Sequence, residues 1–218
     1  MRTKKIVATI MAVMLICAIS VTGTLAFLQA TTEKEVVNTF VAAGGGSLFE
    51  GEEGEDNDGD GIEAGVLLNE SLAVRDAATG KYTLDTTNKV FANDYTVLPG
   101  TTVAKDPAIS VNEKNDVPAY VYVEIVSKNA NITFEVADGW VATGVTGPNG
   151  GTVYHLSNAI VADLAATPIL KNNQINVADV EDLGLDANGT VTFYGYLAQS
   201  SVNDSTAPAE VFTTCFSK

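Results

Sequence analysis

The sequence predicts an all-β protein: a jelly-roll-like antiparallel β-sandwich with one or two short helices. Two runs and the punctuation between them carry this expectation. In Ala119–Lys128, Ala119, Val121, Val123 and Ile125 alternate with Tyr120, Tyr122, Glu124 and Lys128. In Thr190–Gln199, Val191, Phe193 and Leu197 alternate with Thr192, Tyr194 and Tyr196. A repeat of two, rich in β-branched and aromatic residues, marks half-buried strands. Turn signals separate such runs from about residue 80 onward: Leu98-Pro99-Gly100, Asn115-Asp116, Ala137-Asp138-Gly139, Gly147-Pro148-Asn149-Gly150-Gly151 and Asn188-Gly189. Short strands repeated at that spacing favour a sandwich. The two helices are expected at Val177–Leu183 and at Ala207–Phe216. In the second, Val211 with Cys215 and Phe212 with Phe216 pair at i,i+4.

Composition bounds the function. The chain has 218 residues, 46% of them apolar, which is enough for a core and excludes a wholly disordered protein. Its net charge of −15 excludes nucleic acid as a partner, because phosphate contacts need clustered Lys and Arg. A single His leaves little room for His-based catalysis or a multi-His metal site.

The N-terminus has the layout of a secretory signal peptide. Arg2, Lys4 and Lys5 precede an apolar run from Ile6 to Ile19, and Thr24-Leu25-Ala26 places small residues where a signal peptidase requires them. Cleavage is expected between Ala26 and Phe27. The competing reading is an uncleaved anchor, since no charge occurs from Ile6 to Thr32, a stretch long enough to span a bilayer. The small and polar residues after Ile19 fit a cleavage region better. Contact with the membrane is thus expected only during export, and the protein is expected outside the cell. Removal of Cys17 leaves Cys215 as the only thiol, so no internal disulfide is expected. The organisation read from the chain is a signal peptide at 1–26, an arm with a glycine hinge at 27–46, and one sandwich domain at 47–218.

Several segments resemble a known family. Gly23-Thr24-Leu25-Ala26-Phe27, followed by Asn38-Thr39-Phe40-Val41-Ala42, is similar to the signal and mature start of TasA/camelysin-like proteins. The stretch from Leu98-Pro99-Gly100 through Lys105-Asp106-Pro107, Val111-Asn112 and Ala119-Tyr120-Val121-Tyr122-Val123 resembles the family's central segment. Gly139-Trp140 and Val191–Gln199 resemble later ones. The resemblance implies export by a SipW-type signal peptidase and a jelly-roll subunit of biofilm-matrix fibres in Gram-positive bacteria. It also implies assembly by donor-strand pairing, in which the mature N-terminal segment of one subunit completes the sheet of the next. The donor residues would be Val36, Val37, Thr39, Phe40 and Val41, whose β-branched and aromatic character suits a strand. Gly44-Gly45-Gly46 would act as the hinge. Partners would be other copies of the chain, joined head to tail, and matrix or cell-surface components. Folding back of the arm as an edge strand of its own domain remains open. So does a second function class, an adhesion or ligand-binding module that does not polymerise.

The acidic insert departs from the family pattern. Eight of the 27 acidic residues fall in the 14 positions from Glu50 to Glu63. Asp56, Asp58, Asp60 and Glu63, with the Ile62 carbonyl, form a D-x-D-x-D-G-x-E pattern of hard oxygen donors suited to calcium. Position 12 of an EF-hand is Leu67 here, so any calcium site would be weak. A solvated acidic linker accounts for the same residues equally well.

The camelysin name carries a metallopeptidase label, which these residues do not support. His155 stands alone in a strand-like context, with no HExxH pair and no nucleophile elbow. No catalytic residues and no protease activity are expected.

Overall fold

A computed structural model describes residues 29–31, 36–42, 66–111, 118–160, 163–185, 189–200 and 206–216, with side chains from residue 66 onward. Fourteen strands and one α-helix occur among them. The strands are β1 (Gln29–Thr31), β2 (Val36–Ala42), β3 (Val66–Arg75), β4 (Tyr82–Val90), β5 (Ala92–Val97), β6 (Thr102–Ala104) and β7 (Ala108–Val111). They continue as β8 (Ala119–Ser127), β9 (Ile132–Thr133), β10 (Trp140–Thr146), β11 (Thr152–Leu156), β12 (Leu164–Pro168), β13 (Gln174–Val177) and β14 (Thr190–Gln199). The helix is α1 (Pro208–Phe216).

The strands form three sheets. The largest runs β10-β11-β8-β14-β2-β5, with β1 also paired to β14. A four-stranded sheet runs β12-β7-β3-β4, and a three-stranded one runs β6-β13-β9. All pairings are antiparallel except one, β2 with β5. This is the all-β, mostly antiparallel sandwich expected from the alternation.

The two runs that predict strands form its centre. β8 and β14 pair along their whole lengths, from Ala119↔Gln199 to Ser127↔Val191. Val121, Val123, Ile125, Val191, Phe193 and Leu197 face Val66, Leu68, Ile109 and Val111 across the interior. Alternation alone marks these strands as half-buried, and here the structure differs. Tyr122, Tyr196 and Ala198 are buried against Val211 and Phe212 of α1, so both faces of these strands are covered. The reason is local: the Tyr120 hydroxyl donates to the Thr206 carbonyl and the Tyr122 hydroxyl to that of Pro208, pinning the start of α1 to the sheet.

The helix expected at Val177–Leu183 does not form. Val177 ends β13, and the residues after it are irregular. Their backbone groups are committed elsewhere. Ala178 N–H donates to Asn131, its carbonyl accepts from Gly100, and the Leu183 carbonyl accepts from the side chains of Asn129 and Asn131. In a helix the Ala178 carbonyl would have to accept from the Asp182 N–H instead.

Two glycines are required by the turn joining β10 to β11. Glu124 lies beneath it, fully buried; its carboxylate accepts from the backbone N–H of Asn149 at 2.9 Å and of Gly151 at 2.8 Å. It also accepts from the Tyr196 hydroxyl at 2.7 Å and the Asn149 amide at 3.0 Å. Burial, then that bond, pushes the Tyr196 hydroxyl far above its ordinary pKa. A Cβ on Gly151 would lie 2.6 Å from the Ile125 carbonyl oxygen and one on Gly147 would strike the carboxylate. Gly151→Ala should therefore destabilise the protein by roughly 1–3 kcal/mol, the ordinary cost of overpacking, read as a lower midpoint in urea unfolding.

Candidate functional site: a strand slot above a buried lysine

β2 occupies an interior position of the large sheet. On one side it pairs with β14, antiparallel, from Val36↔Phe193 to Thr39↔Thr190. On the other it pairs with β5, parallel, from Val37↔Ala92 to Ala42↔Val97. Among the described residues, β5 has no other strand partner. The place of β5 in the sheet thus depends on whichever strand fills the slot between it and β14. Without one, two rows of backbone N–H and C=O groups would stand open. All five expected donor residues, Val36, Val37, Thr39, Phe40 and Val41, lie on β2.

Below the slot lies a polar cluster inside the apolar core. β5 buries Asn93, Tyr95 and Val97 in alternate positions. β3 buries Val66, Leu68 and Glu70 in the same way, so the carboxylate of Glu70 enters the interior in phase with two aliphatic residues. From Val103 to Val111 every second residue is buried, and Lys105 takes one of these inward positions. Lys105 Nζ lies 2.5 Å from Glu70 Oε2, and both side chains have no exposed surface. The Asn93 amide donates to Glu70 Oε1 at 2.7 Å and to the Ser71 carbonyl at 3.0 Å, while its Oδ1 accepts from Ala73 N–H at 2.7 Å.

Aromatic rings wall off this triad. Lys105 Nζ sits 5.2 Å from the Phe193 ring centroid and 5.8 Å from that of Tyr95, within cation–π range. Burial pulls the Lys105 amine below its ordinary pKa, and the charge of Glu70 pulls it partly back. On the solvent side, Asp106 accepts from the Ser71 N–H and hydroxyl at 2.8 and 2.6 Å, and Lys89 reaches the same hydroxyl at 2.9 Å.

Comparison with known proteins finds no matching family model, curated protein or solved structure.

The other residues singled out in the sequence fall in several places. Ala26 and Phe27, and the calcium candidates Asp56, Asp58, Asp60, Ile62 and Glu63, lie outside the described residues. Among the described residues, no group of three or more His, Cys, Asp or Glu is placed to hold a metal ion. His155 is on β11, its Nδ1 2.7 Å from the Leu156 carbonyl and its ring 6.0 Å from that of Tyr120. Cys215 is half-buried against the aromatic cluster under α1. No helix among the described residues is long and apolar enough to cross a membrane.

Sequence reasoning misses Glu70, Asn93 and Lys105. A signal for Lys105 is present in Val103-Ala104-Lys105-Asp106-Pro107-Ala108-Ile109-Ser110-Val111, where it shares its phase with four apolar residues. Lys105→Ala would leave the Glu70 carboxylate buried without a cation, which should cost about 3–5 kcal/mol in a urea-unfolding assay. Replacing the pair together, Lys105→Met with Glu70→Leu, should recover much of that loss in the same assay.

Proposed function

We propose that this protein is a secreted structural subunit of extracellular biofilm-matrix fibres, and that its copies join head to tail by donating β2 into the slot between β14 and β5 of the next copy. The observation that carries the reading is the position of β2. It is an interior strand that completes the bonding of two others, yet residues 43–65 separate it from β3, the next strand among the described residues. At full extension a segment of that length reaches on the order of 75 Å, ample to seat β2 in a neighbour. The same backbone pairing then serves within one subunit or between two. Each junction joins two different surfaces, so it repeats without closing and yields an open filament. The TasA/camelysin-like resemblance of the arm and central segment supports the same assembly, and the signal-peptide layout supports its location.

Electron microscopy of the mature protein tests this. Wild type should form filaments, and a chain lacking residues 27–43 should not. Thr39→Pro removes a backbone donor and clashes within an interior strand, so it should also abolish filaments. Added back as a synthetic peptide, residues 27–43 should bind the truncated chain and raise its melting temperature. A wild-type protein that stays monomeric under all ionic conditions while binding cells or glycans would replace the fibre reading with an adhesin.

A further inference from the structure

Lys105, Glu70 and Asn93 form more than a buried ion pair with a neighbour. One carboxylate holds, on its two oxygens, an amine and a primary amide: Lys105 Nζ at 2.5 Å and Asn93 Nδ2 at 2.7 Å. The orientation of the amide is set by its partners, since Oδ1 faces a donor, Ala73 N–H, and Nδ2 faces two acceptors. All three side chains are buried, with Lys105 and Glu70 fully so and Asn93 5% exposed.

We propose that Lys105 and Asn93 are joined by an intramolecular isopeptide bond, from Nζ to Cγ, with Glu70 as the catalytic proton carrier. Glu70 takes a proton from the Lys105 ammonium, and the neutral amine attacks Asn93 Cγ. Charge gathers on Oδ1, where Ala73 N–H already donates at 2.7 Å, as an oxyanion requires. Glu70 then passes its proton to Nδ2 and accepts one from Nζ. The Cγ–Nδ2 bond breaks and ammonia leaves, while Glu70 keeps the proton taken from Nζ and ends as a neutral carboxyl beside the new amide. The balance is one ammonium side chain, one carboxylate and one primary amide giving one secondary amide, one carboxylic acid and one ammonia. No oxidant, metal or nucleotide is required.

Two physical features favour the step. Burial among Tyr95, Phe193 and the aliphatic core disfavours the charged amine and excludes competing water. Folding holds nucleophile and electrophile on one bridging group, which replaces a bimolecular encounter with a positioned one. The product would tie β5 covalently to the segment after β6. That is a strand whose only other sheet attachment, among the described residues, is β2. The inference does not rest on the fibre reading, since it concerns a single folded chain.

Intact mass spectrometry of the purified folded protein tests it, with the N-terminus read from the same digest. The mass should fall one ammonia short of the sequence. Cleavage before aspartate should release residues 85–93 and 94–105 as one branched species instead of two peptides. Glu70→Gln, which preserves shape and removes the proton carrier, should restore the full mass in a protein that still unfolds cooperatively. Lys105→Met should do the same. A wild-type mass equal to the sequence overturns the proposal, as does a deficit of one water, which would indicate an amide to Glu70. A deficit that maps to Asn149-Gly150 or Asn188-Gly189, where succinimides form, also overturns it. If Glu70→Gln is as light as wild type, the role given to Glu70 is wrong.

Discussion

The Glu70 carboxylate, held entirely out of water, is the constraint around which the interior is arranged. An isolated carboxylate in a protein core carries a large desolvation cost, so it must be met by a cation and by further donors. As the chain folds, Lys105 supplies the cation and Asn93 a further donor. Each comes from a different part of the chain: Glu70 from β3, Asn93 from β5, Lys105 from the segment after β6. Satisfying one charge therefore fixes the facing sheet, the wall of the slot and the connection between them in a single register. A one-residue slip in β3 would turn Glu70 outward and leave Lys105 alone inside.

A second buried carboxylate works differently on the opposite face of the large sheet. Glu124 is enclosed there, and its partners are two backbone amides of the β10–β11 turn, the Asn149 side chain and the Tyr196 hydroxyl. Here the charge shapes a loop instead of joining sheets. Close by, the aromatic cluster of Tyr122, Tyr196, Phe212 and Phe216 packs α1 down, with ring centroids about 5 Å apart in the edge and tilted arrangements that aromatic pairs prefer. β8 and β14 are thus covered on both faces where α1 lies over them.

Much of the architecture is legible in residue order, for a definite reason. Ala119–Lys128 and Thr190–Gln199 alternate cleanly, and they are the strands at the centre of the large sheet. Ala207–Phe216 shows its i,i+4 apolar pairs, and it contains the helix. The errors arise where long-range partners decide. Val177–Leu183 is short and acidic enough to suggest a helix, but its backbone groups are claimed by Gly100, Asn129 and Asn131 from distant segments. The tyrosines of β8 and β14 read as the solvent side of half-buried strands until α1 is placed upon them. The buried triad is hidden for a similar reason. Glu70, Asn93 and Lys105 are ordinary polar residues in the sequence, and only the pairing of their strands brings them together.

The mixed pairing of β2 has one more consequence. A segment lying between one neighbour of opposite direction and one of the same direction presents different hydrogen-bond spacings on its left and right. Turned end for end, it would offer each wall the pattern meant for the other. The groove therefore has a sense of direction, and a string of molecules linked through it would point one way throughout. Its two tips would be chemically unlike: one would show a vacant groove, the other an unclaimed leading segment, and recruitment at each would follow its own kinetics.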